Sequence, residues 1–267
     1  MAMMKRSAPR AIALGLAGLL AACATSPLGR QQFLLMPAAQ MDEMGVAAYA
    51  QLKNETPVSK DQRQTAYVQC IADHIIQVLD PQDQQGWEVN LFQDDSANAF
   101  ALPGGKIGIH SGLLRVATNQ HQVAAVMGHE VGHVLAQHSN ERVSVQYATQ
   151  SGMQILAAIS GEATTEKQML FGLLGLGAQY GVALPFSRKH ETEADVIGLQ
   201  LMAKAGFDPR ESVTLWQNMA AVSGGSPPQF LSTHPSHATR VRDLQAQMAE
   251  VMPLYQQAQA AGRRPDC

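Results

Sequence analysis

A mostly helical α+β fold is what this sequence predicts, and three patterns predict it. Apolar residues recur at helical spacing over most of the chain, as at Ile71, Ile75, Val78 and Leu79. One region, 87 to 109, changes to alternation and brief apolar runs, which suits a few short strands. No repeat of fixed period is present, so the elements belong to one large domain rather than an array.

The N-terminus reads as a targeting segment. Lys5, Arg6 and Arg10 precede an apolar run from Ala11 to Ala22. The run is short for a bilayer span and suits the core of a signal peptide. It ends Leu20-Ala21-Ala22-Cys23, which resembles a bacterial lipobox, where Cys23 is acylated and becomes the mature N-terminus. The other reading is an ordinary signal peptide with an incidental Cys. Ala24, where Asp would mark retention, resembles lipoproteins sent to the outer membrane. Residues 1–22 are thus read as a lipoprotein signal peptide and 23–37, with two Pro and one Gly, as a lipidated N-terminus and tether. Removing 22 of the 267 residues leaves 245 and takes the formal charge from −3 to −6. So acidic a chain has no basic footprint for nucleic acid.

A domain over 38–252 follows. Helical spacing covers 39–53 and 61–79, and Asp80-Pro81 stops the second. Trp87 to Phe92 alternates as a half-buried strand. Phe100–Leu102 and Lys106–Ile109 read as two more strands around a Pro103-Gly104-Gly105 turn, where Pro argues for a sheet edge. A helix over 119–138 opens with Asn119 and Gln122 in capping-box spacing. From Met169 to Phe186 there is no charge, but four Gly and Pro185 favour a buried or interfacial helix over a membrane span. A helix over 188–205 ends with Lys204, Gly206 as left-handed cap and Pro209 beyond. Asp208, Pro209 and Glu211 start another, Ser223–Pro228 is a loop, and Pro235 opens a last helix to 252. Residues 253–267 read as a low-complexity tail.

The chemistry sits in His129-Glu130-Val131-Gly132-His133. Residues four apart share a helix face, so both imidazoles aim at one point, half of a zinc site, with Glu130 beside them as a candidate general base. A third ligand must come from elsewhere. His138 lies five residues past His133, about 140° around a continuing helix, so it reads as a surface residue or an outer support. Glu191 and Asp195 share a face of a later helix. One can bind metal while the other orients a ligand imidazole through its free N–H. Glu193 faces away by about 200°. Other motifs fail on spacing. Gly105-Lys106 lacks the remainder of a P-loop, and Gly175-Leu176-Gly177 meets Tyr180 where a dinucleotide fingerprint needs Gly.

Three Cys are present. With Cys23 taken for lipidation, Cys70 and Cys267 remain in an oxidising compartment. They either pair, tying the tail to an early helix, or stay apart as a buried free Cys70 and a disordered Cys267.

Taken in order, the lipobox, Asn98-Ala99-Phe100-Ala101-Leu102-Pro103-Gly104-Gly105, the His129–His133 motif, Ser187–Asp195, and His234-Pro235 with Arg240 resemble the HtpX/Oma-type zinc metallopeptidases, which are HExxH gluzincins, and within them the periplasmic lipoprotein branch. The resemblance covers roughly 40 to 250. It implies a zincin-type α+β fold whose small sheet has an edge strand flanking the active-site helix. It implies one Zn2+ per chain on His129, His133 and Glu191, with Glu130 as base and Asp195 and Arg240 as supports. Asn98, Ala99, Phe100, Ala101 and Leu102 become an edge strand that holds extended substrate by main-chain hydrogen bonds; from the residues alone this is an ordinary hairpin. His234 becomes an oxyanion donor or a gate on the open zinc position. The implied protein is an endopeptidase anchored to the inner face of the outer membrane. It cleaves unfolded or misassembled envelope proteins and works beside the outer-membrane assembly machinery. A C-terminal helical repeat domain known in that branch is not expected here.

Overall fold

The segment read as a tether is folded. In the computed structural model, which describes residues 23–149, 174, 186–222, 229–235 and 239–267, β1 (Cys23–Thr25) and β2 (Gln31–Phe33) form an antiparallel hairpin. Three-residue strands give no periodic signal, and this hairpin is held by distant partners. Gln32 donates to the Ala136 carbonyl at 2.6 Å, the Arg30 guanidinium grips both oxygens of Glu141 at 2.7 and 2.8 Å, and the Leu35 N–H donates to Ser144 at 2.7 Å. The expected signal peptide over 1–22, the uncharged stretch to Phe186 apart from Leu174 and Phe186, and the loop over 223–228 lie outside the described residues. Among the described residues no helix is long and apolar enough to cross a membrane.

Two helices follow as their spacing predicts, α1 (Ala38–Glu55) and α2 (Gln62–Ile76). Asp61 caps α2 by accepting from the Arg63 and Gln64 N–H groups. The sheet comprises β3 (Glu88–Phe92), β4 (Ala99–Leu102) and β5 (Lys106–His110), with β5 central, parallel to β3 and antiparallel to β4. β4 is therefore an edge, where the Pro103 turn predicts it. Its alternate side chains enter two cores. Ala99 and Ala101 join the main core with α2 and the later helices, while Phe100 and Leu102 meet Met41, Tyr49, Leu52 and Phe92 beneath α1.

The motif helix is α3 (Gln120–Leu135). Asn119 caps it, but the reciprocal half of the capping box is displaced by one residue, since Gln122 accepts from the Thr118 N–H. The helix does not run to 138. Gln137 takes a left-handed φ of 48° and the chain restarts as α4 (His138–Thr149). Then come α5 (Arg188–Ala205), closed by Gly206 at φ 93°, α6 (Glu211–Val222) and the short α7 (Gln229–Thr233). The last helix, α8 (Arg240–Ala260), starts later than predicted and runs through Pro253 into the region read as a tail. Pro removes one helical N–H bond, yet Val251 and Ala258 are buried and Leu254 and Tyr255 pack on the core, so burial of that face outweighs the loss. The remaining tail is fastened too. Gln120 donates to the Pro265 carbonyl and accepts from the Cys267 N–H, and Cys267 is bonded to Cys70.

Candidate metal centre

Small residues bring the two motif-bearing helices together. α3 presents Gly128 and Gly132, and α5 presents Ala194 and Gly198. A Cβ at Gly198 would lie 2.7 Å from the His129 nitrogen, one at Gly128 would lie 2.8 Å from the Gly198 carbonyl oxygen, and one at Gly132 would lie 3.0 Å from that of Ala194. The backbones touch, so side chains just above and below the contact meet across it.

Those side chains are the ones that the motifs carry. His129 and His133 project from α3 with their Nε2 atoms 3.0 Å apart. Glu191 of α5 comes within 3.5 Å of His129 Nε2 and 3.4 Å of His133 Nε2. His234, just past α7, adds Nδ1 at 3.2 Å from both His129 Nε2 and Glu191 Oε1. These four donors are all buried and lie within 4.8 Å of one another. Donor–zinc bonds of 2.0–2.1 Å put the corners of a tetrahedron about 3.3 Å apart, so the set fits a small divalent cation. His129 and His133, kept neutral by burial, face the Glu191 carboxylate across this point, a donor set that such a cation would satisfy.

An outer ring holds this set. Asp195 Oδ1 is 2.9 Å from His129 Nδ1. The buried Arg240 donates to Glu191 Oε2 at 2.8 Å and Asp195 Oδ1 at 2.6 Å, and stacks at 3.5 Å on Trp216. Burial lowers the pKa of His129 and His133 well below the usual range, which keeps the rings neutral as metal ligation requires. Burial works the other way on Glu191, but His234 and His133 outweigh it and hold the carboxylate ionised. Glu130 lies beside the donors with Oε1 buried, without a hydrogen bond, and 3.4 Å from His234 Nε2. Burial pushes its carboxyl up to about 7, while His234 and a backbone hydrogen bond from Ala101 of β4 pull down. The predicted edge strand thus runs beside the general-base candidate. Asn98 precedes β4 and is buried, with its carbonyl accepting from the His110 N–H.

Two residues depart from the sequence reading. His138 is not 140° away from His133. The left-handed Gln137 ends the helix and returns the ring, so that the two Nδ1 atoms are 2.9 Å apart and His138 is fully buried. Glu193 does face away from Glu191, yet it is not solvated. It accepts from Ser26 and Arg30 of the hairpin and lies 3.0 Å from His138 Nε2. Of the two readings of His138 the structure has the buried one, against His133. The turn that brings it there was not legible, and neither were the partners of Glu193, which depend on the unforeseen hairpin and on that turn. Of Cys23 only the backbone is described, in β1.

A model of peptidase family M48 matches residues 62–248. The chain is similar to the mitochondrial metalloendopeptidase OMA1 of Schizosaccharomyces pombe, 40% identical over 188 residues that cover 70% of this chain and 53% of that protein. It is 33% identical to the human mitochondrial metalloendopeptidase OMA1 over 227 residues, 81% of this chain and 42% of that one. It is 29% identical to the beta-barrel assembly-enhancing protease of Escherichia coli O157:H7 over 229 residues, 81% of this chain and 45% of that one. The chain therefore spans about half the length of these relatives.

The helix contact gives a direct test. In Gly198→Val the added carbons meet the His129 backbone, which must move. Overpacking should cost about 1–3 kcal/mol, read as a lower urea midpoint, together with weakened metal retention. A variant with unchanged stability and metal content would show that the close approach does not govern the centre.

Proposed function

The chain belongs to peptidase family M48, and we propose that it is a zinc-dependent endopeptidase and, from the Leu20-Ala21-Ala22-Cys23 segment, that it sits in the bacterial envelope, held by lipid on Cys23 to the inner face of the outer membrane. Its proposed substrates are unfolded or misassembled envelope proteins, and the outer-membrane assembly machinery is its proposed partner. The observation that carries the reading is the convergence of His129, His133 and Glu191 beside a buried, unbonded Glu130 Oε1.

His129, His133 and Glu191 would hold the zinc ion. When bound, zinc polarises a peptide carbonyl and lowers the pKa of a water molecule toward neutrality. Glu130 takes the proton from the attacking water and delivers it to the leaving amine. Burial raises this carboxyl and so makes Glu130 a stronger base for the proton it takes. Asp195 holds the His129 ring through Nδ1, and Arg240 fixes Glu191 and Asp195 with one guanidinium. Among the described residues no strand pairs with the outer edge of β4, and apart from the Ala101 group that meets Glu130 its main chain would hold an extended substrate, whose recognition then depends little on its side chains.

His234 acts as a gate in this reading. The gate is preferred to an oxyanion donor because Nδ1 lies among the ligand atoms, at the corner that a catalytic site leaves open.

Three measurements test these assignments. Glu130→Gln should keep one zinc per chain and lose at least ~10²-fold in cleavage of an unfolded protein, whereas His133→Ala should lose the metal. Near-wild-type proteolysis by Glu130→Gln would remove it from the mechanism. His234→Ala at equal zinc content should cleave faster. Slower cleavage would instead support the oxyanion role. Mass spectrometry of the mature protein should find acyl chains on an N-terminal Cys23, and an unmodified start elsewhere would defeat the anchor.

A further inference from the structure

His129 and His133 are supported differently. The Nδ1 atom of His129 meets a carboxylate directly, Asp195 at 2.9 Å. The Nδ1 atom of His133 meets another imidazole, His138, and the carboxylate comes one step later at Glu193. Taking His133 as a metal ligand through Nε2, the atom that faces His129 and Glu191, fixes every proton along this line. The His133 ring proton must sit on Nδ1. It is donated to His138 Nδ1, which must therefore be bare, so the His138 proton sits on Nε2 and is donated to Glu193 Oε2.

Glu193 is in turn held from outside the helices. Arg30 Nε donates to Oε2 at 2.7 Å and the Ser26 hydroxyl donates to Oε1. Both residues belong to the β1–β2 hairpin. The same Arg30 grips Glu141 on α4, where His190 Nε2 also comes within 3.1 Å of the Glu141 carboxylate. The His138 ring is stacked on His190 at 4.5 Å, which favours this orientation of its plane.

We propose that His138 is a positioning residue for His133, and that the N-terminal hairpin, through Arg30 and Ser26 on Glu193, sets the metal affinity of the centre. This rests on the metal reading given above. Partners beyond the ligands commonly tune metal affinity 10–100-fold by fixing ring orientation and tautomer. In this chain such a partner belongs to an element far away in sequence, and the docking of that element becomes part of the metal site.

The test uses the full chain, stripped of metal and titrated with zinc against a chromogenic chelator. His138→Ala should bind zinc about 10–100-fold more weakly than wild type. His138→Asn should recover most of that loss, because the Asn oxygen occupies the place of the imidazole Nδ1 and can accept from His133. Arg30→Met, which leaves both rings in place, should weaken binding by a smaller factor. The visible absorption of the cobalt-loaded protein should shift in His138→Ala and return in His138→Asn. Equal zinc affinity for wild type, His138→Ala and Arg30→Met would overturn the proposal while leaving the metal centre intact. Failure of wild type to bind zinc would instead overturn the metal reading, and the relay with it. Should His138→Ala not fold, wild-type affinity in Arg30→Met would still overturn the role of the hairpin.

Discussion

The contact between α3 and α5 is the constraint on which the rest depends. Gly128 and Gly132 on one helix and Ala194 and Gly198 on the other let the backbones touch. Any larger residue at Gly198 pushes against the His129 nitrogen. Helices that cross at ordinary distances, 8–10 Å between axes, would leave a gap that Glu191 must bridge to reach both imidazoles. The convergence of a donor set able to hold a cation thus begins with the absence of side chains, a few residues away from the donors.

What this contact creates is costly. Glu191, Arg240, His129, His133, His234 and Glu130 are all buried, and removing charges from water costs several kcal/mol per ion even after relaxation. The arrangement offsets that cost by opposing signs at close range. Arg240 lies between Glu191 and Asp195, and its flat face rests on Trp216. Arg240 comes from α8, so the last helix of the chain aligns a residue of α5 with a ring of α3. The core around these groups therefore maintains an electrostatic pattern as well as burying apolar surface.

The parts that were legible in the sequence are those set by local period and punctuation. Spacing of four puts His129 with His133 and Glu191 with Asp195 on single faces, and Gly206 and Asn119 mark helix ends. Pro103 identifies β4 as an edge because Pro cannot donate to a ladder. The parts that were hidden are held by partners distant in sequence. A three-residue strand has no period to read, and the hairpin holding Arg30 exists because of Glu141, Glu193 and Ala136, more than a hundred residues away. Gln137 gives no sign of its left-handed backbone, since Gly is the usual residue there, and so the return of His138 was invisible. Residues 253–267 were read as a tail from their low complexity, but the apolar face there packs and the helix continues through Pro253.

The Cys70–Cys267 bond, with a sequence separation of 197, converts most of the catalytic body into a covalent ring. The donor residues, Glu130, Asp195 and Arg240 lie inside it, and the hairpin that carries Ser26 and Arg30 lies outside. In a linear chain a single nick yields two pieces, either of which can diffuse away. Here a cut anywhere between the two cysteines merely opens the ring, and α3, α5 and α8 stay on one molecule. A first cleavage between the cysteines therefore leaves the chain in one piece for as long as the bond stays oxidised.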